Sequence, residues 1–319
     1  MSLFTWSDDI PVIGRMPLDE VKAKLSEMGD AETAADLDAA RNRFSSKRRV
    51  LGPSDGGNEW WRFWDRPWTH TGYTFGYLAQ ADTNNKLSKN NLQAIQHAGA
   101  IPSDDTLKNT RVKITLDAFY VASYPGLGTH QILLKFYTRN QVKGKTEDLH
   151  FNIFCSARKG DHATVHGSPI FVGLNVGTQG IVLGFYTVNV RSSGDDIFLN
   201  FLRSDLFKGG LQLLTAVQPA IALFSSTMQN LATYIAGREK NAKVQEFELG
   251  LDFSKSATVY HLNEGSYIAV QIPEKDQPIW MWDEWVYQTR SGLVVNKANT
   301  KRRIPYNYLI FSISKYEDK

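Results

Sequence analysis

Apolar residues spaced three and four apart open the chain. Leu18, Val21, Leu25 and Met28 share one helical face behind Pro17, a residue suited to a first helical turn, and Gly29 supplies a stop. Asp30 stands where it can cap a second, alanine-rich helix reaching about Phe44. Ser88 reads as the cap of a short helix carrying Leu92 and Ile95 and ended by Gly99. From Arg111 the period falls to two. Val112-Lys113-Ile114-Thr115-Leu116 alternates, Pro125-Gly126-Leu127-Gly128 turns, and residues 131–137 return. Further strands are expected at 147–157, 168–176, 180–190, 244–253, 257–262, 266–272, 280–288 and 306–316. Asn263-Glu264-Gly265 and Arg290-Ser291-Gly292 read as hairpin turns. Short turns between successive strands favour antiparallel pairing. The expected class is α+β and predominantly antiparallel β: a β-sandwich-like body with N-terminal helices and an inserted helical pair packed on the sheet.

The same pattern divides the chain. Residues 1–50 form an N-terminal helical segment, 51–109 an aromatic-rich connecting region, and 110–319 a β-rich domain with a helical insertion at 195–237. The connecting region begins at the breaker Gly52-Pro53-Ser54-Asp55-Gly56-Gly57. Within the insertion, residues 209–237 contain no Asp, Glu, Lys or Arg. Phe207, Leu211, Leu214, Ile221, Phe224, Met228, Leu231 and Ile235 make its apolar face, and Gln212, Gln218, Gln229 and Asn230 lie opposite. Pro219 is expected to split the block into two helices. The amides and Pro219 speak against a membrane span, and an interfacial helix normally carries Lys and Arg along its polar face. An uncharged polar face instead suits packing over the sheet, contact with another protein, or conditional insertion into lipid after release of 206–236.

Composition narrows the function. In 319 residues, 36 Lys and Arg face 33 Asp and Glu, for a net charge of +3, far from the concentrated positive charge of a nucleic-acid binder. Hydrophobic residues at 42% and charged residues at 22% are ordinary for a globular chain. The start, Met1-Ser2-Leu3-Phe4, has neither the basic nor the long apolar region of a secretory signal. Cys155 is the one cysteine, so no internal disulfide forms. Both features point to a cytoplasmic location. Cys155 sits in an apolar run and reads as a small core residue.

Two aromatic clusters stand out. Trp60, Trp61, Trp64 and Trp68 are interleaved with Arg62 and Arg66, and positions 60, 64 and 68 align on one helical face. Tryptophan and arginine dominate interface hot spots, which makes these six residues candidates for partner binding. Trp280, Trp282 and Trp285 fall in an expected strand, with Trp280 and Trp282 on one face as packing residues.

Motifs for chemistry are sparse. The glycines at 173, 177 and 180 lack dinucleotide-binding spacing, and there is neither a phosphate loop nor a Gly-x-Ser-x-Gly elbow. His162 and His166 are the best metal candidates, but Ala163 stands where a zinc-protease motif needs its glutamate. Asp104-Asp105, Asp195-Asp196 and Asp283-Glu284 show no shared spacing, and Lys47-Arg48-Arg49 and Lys301-Arg302-Arg303 read as solvated turns.

The reading that follows is a non-enzymatic cytoplasmic interaction or scaffold protein. It uses aromatic and uncharged amphipathic surfaces to bind a protein partner or a second copy, with no cofactor, no metal and no sequence-specific nucleic acid. The alternatives are a membrane-perturbing effector that releases 206–236, and a metal-dependent enzyme using His162 and His166.

Overall fold

The computed structural model describes residues 10–37, 66–80, 91–142, 145–163, 165, 167–191, 211–212, 219–256 and 258–317. Its strands, in chain order, begin with β1 Gly72–Ala79, β2 Leu92–Ala94, β3 Gln96–His97, β4 Arg111–Val121, β5 His130–Val142, β6 Lys145–Ala157, β7 Asp161–His162 and β8 Ser168–Asn175. They continue with β9 Gly180–Val190, β10 Leu211–Gln212, β11 Ala242–Asp252, β12 Tyr260–His261, β13 Gly265–Ile272, β14 Trp285–Gln288, β15 Leu293–Asn296 and β16 Tyr308–Lys315. Among the described residues two α-helices accompany them, α1 Leu18–Glu27 and α2 Pro219–Ala236, and residues 31–37 are also helical.

The strands form three sheets, mainly antiparallel. One runs β12-β11-β9-β5-β6, a second β10-β8-β4-β16-β13-β1-β3 with β7 beside β4, and a small third sheet β15-β14-β2. The first two face each other as a sandwich. Alternate residues of each point inward, among them Phe119, Leu309 and Phe311 from the second and Leu134, Phe136 and Phe185 from the first, all fully buried. Each such side chain contributes about 1.5–3 kcal/mol by leaving water. The class is α+β and β-sandwich-like, as the alternation indicates.

Each sheet's outer face is also covered. The small third sheet packs on the second, burying Ile268, Val270, Tyr308 and Ile310 against Trp282, Trp285 and Val294. Helix α2 packs on the first, where Met228, Leu231, Ala232 and Ile235 meet Leu133, Tyr186 and Val188. The layers therefore run small sheet, sheet, sheet, helix.

The N-terminal signals hold. Helix α1 occupies its expected place, and Gly29 ends it at φ 78°, a conformation that favours glycine. Asp30 caps the next helix by accepting from the backbone of Thr33 at 3.2 Å. Ile13, Val21, Leu25 and Met28 belong to the main core, and Val12 bridges to Lys243. Strand β1 pairs along its whole length with β13, so the sheet draws on residues before 110.

The structure corrects several expectations. Leu92 and Ile95 do not form a helix: Asn91 takes φ 54°, and β2 follows, paired with β14. Ladder bonds to β14 outweigh a weak three-residue helical preference. Leu211 is not on an amphipathic helix. It lies in β10, parallel to β8, and the helix begins only at Pro219. Pro219 thus opens α2 rather than dividing it, because a first-turn proline lacks only a donor that has no partner there. Trp280 and Trp282 are not in a strand. Pro278 and the 3₁₀ turns Glu274–Ile279 and Trp282–Glu284 hold this stretch irregular until β14. Asn263-Glu264-Gly265 is not a hairpin: it carries the chain from β12 in one sheet to β13 in another. Of the expected strand 257–262, only β12 forms, parallel to β11.

Candidate functional site

The irregular stretch between β13 and β14 presents the clearest surface feature. Ile279 and Met281 are 72% and 55% exposed, and they bracket Trp280 in sequence. Pro278 removes a backbone donor, and the 3₁₀ turn ending at Ile279 is too short to bury either neighbour. Trp280 is half-buried and anchored on several sides. It stacks in parallel on Trp285 at 6.0 Å and meets Trp282 and Tyr306 edge-on, each at 5.7 Å. The Tyr306 ring in turn touches His70 at 5.6 Å. Such offset and edge contacts add about 0.5–1.5 kcal/mol per pair beyond buried area.

Beneath this ridge, Trp282 lies against Gly76 of β1. A Cβ there would stand 2.9 Å from the indole and 2.6 Å from the Ile95 side chain. Glycine at 76 is required by close approach, and it lets the small sheet sit flush on the large one. The Nε1 atoms of Trp280 and Trp282 are buried without an acceptor among the described residues. The outcome is a rigid aromatic base carrying two exposed aliphatic side chains.

The residues singled out from sequence have separate fates. Trp60, Trp61, Arg62 and Trp64 lie outside the described residues. Trp68 is in the main core, in the 3₁₀ turn Pro67–Thr69. It is sealed inside the molecule, which removes it from any binding surface. Arg66 is partly exposed, donating to Thr33 Oγ1 at 2.6 Å and pairing with Asp36 at 3.6 Å. Phe207 and Leu214 lie outside the described residues, and Ile221 and Phe224 stand in α2. Met228, Leu231 and Ile235 are buried against the first sheet.

His162 sits between Tyr120 and Tyr308, its Nε2 3.4 Å from the Tyr308 hydroxyl. His166 lies outside the described residues. Among the described residues, no group of three or more His, Cys, Asp or Glu is placed to hold a metal ion. Asp104 caps the 3₁₀ turn Asp105–Leu107, and Asp105 pairs with Lys108 at 2.9 Å.

Groups with displaced ionisation are dispersed through the layers. Burial lowers His70 and His130 to about 4 and His150 to about 3, with Lys275, Arg191 and Lys135 respectively adding repulsion. Burial, then repulsion from Lys243, pulls the Lys135 ammonium down to about 7. Both lysines lie over the Tyr186 ring, at 5.2 and 4.9 Å. Burial pushes the Cys155 thiol up, which suits an inert core residue. Tyr124 is likewise raised by burial, and it sits in a hydrogen-bonded group with Thr187 (2.7 Å) and Gln245 (2.6 Å).

Sequence reasoning missed the exposure of Ile279 and Met281. Pro278 was the available signal, because a proline after a polar run and just before the expected strand marks turn or irregular backbone. No helix among the described residues is long and apolar enough to cross a membrane. No protein-family model matches the chain, and neither a curated protein sequence nor a solved structure matches it.

Proposed function

We propose that this chain is a non-enzymatic cytoplasmic interaction protein that docks a protein partner on the Ile279–Trp280–Met281 ridge. The observation that carries the reading is the pairing of two exposed aliphatic side chains with a packed cluster of three tryptophans, Trp280 stacked on Trp285 and edge-on to Trp282. Exposed apolar groups on a rigid aromatic base resemble the anchors of interface hot spots, which lose little side-chain entropy on binding. The low net charge and single buried thiol support a cytoplasmic scaffold role. A membrane-perturbing role has less support, because Met228, Leu231 and Ile235 already cover apolar sheet surface.

The test is site-specific photo-crosslinking from position 281 in a lysate of the native cells, with size-exclusion chromatography of the purified chain to detect a second copy as partner. A discrete cross-linked species that disappears in Ile279→Ser is expected. Crosslinking only to abundant bystanders, unchanged by Ile279→Ser, would overturn the reading.

A further inference from the structure

Away from the ridge, a cleft of about 600 Å³ opens between the N-terminal helical turns and the loops at one end of the second sheet. Its lining brings together Arg66, Lys159 and Arg303, which are far apart in sequence, with Glu32 as the one carboxylate. Tyr120 forms part of the floor, and its hydroxyl makes no hydrogen bond among the described residues. Leu127, 61% exposed, stands at the rim.

The cations are held by the fold. Arg303 donates through one Nη1 to the Gly160 carbonyl at 3.0 Å, which fixes the guanidinium and leaves further donors of its fork to face the cleft. The same turn carries Lys159, and Gly160 at φ 80° sets its direction. Neither Lys159 nor Arg303 has a carboxylate partner among the described residues. Arg66 is positioned by Thr33 and Asp36 as described above. Buried Asp30 ties the two walls together: one oxygen caps the helical turns, and the other accepts from Gly126 at 3.0 Å, next to Leu127.

We infer that this cleft is a binding site for a phosphate-bearing small molecule with an aromatic or apolar body. The phosphoryl group lies between Arg303 and Lys159, on the side of Arg66, and the body lies over Ala122 and the edge of the buried Tyr120 toward Leu127. A phosphomonoester carries about −1.5 to −2 charges at neutral pH, which answers Arg303 and Lys159, the two cleft cations without a carboxylate partner among the described residues; Arg66 already shares its charge with Asp36. Arginine's planar fork is suited to phosphate oxygens, and lysine adds a point charge. This inference is independent of the ridge, since the two surfaces share no residue.

Titration calorimetry of the full chain with phenyl phosphate tests it, with phenol, inorganic phosphate and an oligoglutamate peptide as further arms. Phenyl phosphate binds, inorganic phosphate binds more weakly and phenol does not. Arg303→Ala weakens phenyl phosphate by about 10- to 100-fold, the usual range for a lost charged hydrogen bond. Lys159→Glu, at an exposed turn, abolishes binding while leaving the thermal midpoint unchanged, and it carries the test if Arg303→Ala fails to fold. Absence of binding by phenyl phosphate, or equal binding by phenol, overturns the inference. Tighter binding of oligoglutamate than of phenyl phosphate overturns it in favour of an acidic protein segment.

Discussion

The two outer faces of the sandwich are covered in opposite ways. Over the second sheet, the small third sheet lays down an apolar and aromatic layer in which Trp282, Trp285, Tyr308 and Ile310 interlock. Over the first sheet, α2 contributes an apolar end, but polar groups are buried on the same face. Lys135 and Lys243 are each only 2% exposed, with Asn152 and His150 nearby on β6. Lys243 pairs with Glu246, and Asn152 donates to the Met228 carbonyl of α2 at 2.8 Å. One covering is held by shape and area, the other in part by an ion pair, a side-chain hydrogen bond to α2 and cations over a tyrosine ring. Burial of apolar area is insensitive to pH, whereas buried charge is not. The two faces should therefore fail under different perturbations.

The sharpest break is on the aromatic side. Trp282→Ala should cost about 3–5 kcal/mol by opening a cavity in the layer, measured by urea unfolding. Gly76→Ala should cost about 1–3 kcal/mol by overpacking, since the new methyl meets the Trp282 ring and Ile95. Conversion of Gly76 with no loss would mean that the small sheet is loosely seated.

The polar side should answer to pH. His150 on that face, together with His70 and His130 elsewhere in the molecule, titrates well below the free histidine value when folded, so the unfolded chain binds these protons first. Stability should fall as pH drops from about 6.5 toward 4, read from midpoints of chemical unfolding across that range. Lys135 works in the alkaline window. Its folded value of about 7 lies below that of a free lysine, about 10.5. The unfolded chain holds the extra proton between those values, so stability should rise across them. Lys135→Met should remove that rise and be neutral or stabilising at pH 7, because a similar-sized apolar group replaces a buried charge. A rise that persists in Lys135→Met would assign it elsewhere. The smallest effect is expected at the ridge, where Met281→Ser should change stability by less than about 0.5 kcal/mol while still weakening partner capture.

Where one face of a strand meets the core and the other is mixed, the chain announces it. Arg111–Val121 begins with strict alternation, Val112, Ile114 and Leu116 facing inward, and that part is legible at once. Gly72–Ala79 is buried on both faces through Leu78; Tyr73, Phe75 and Tyr77 do alternate toward the core, but small residues between them and the tryptophan-rich stretch before them mask the strand within the aromatic-rich connecting region. The three residues of Leu92–Ala94 are too few to show any period, so this strand of the small third sheet escapes notice, while the turn Arg290-Ser291-Gly292 that joins β14 to β15 is legible. The cleft is invisible for a different reason. Arg66, Lys159 and Arg303 come from three separate loops, and only the closing of the sandwich gathers them. The first tryptophan cluster pointed toward a surface, yet its Trp68 is interior, whereas Trp282 and Trp285 pack inside as their sequence suggested and the exposed groups beside them are Ile279 and Met281.

Cys155 has a practical corollary. As the sole sulfhydryl of the chain, enclosed between the two large sheets, it stays silent toward alkylating reagents until the sheets part. Its alkylation rate is thus a built-in clock for opening of the molecule. A second cysteine placed on the surface would take up a fluorophore selectively, with no need to replace the native one.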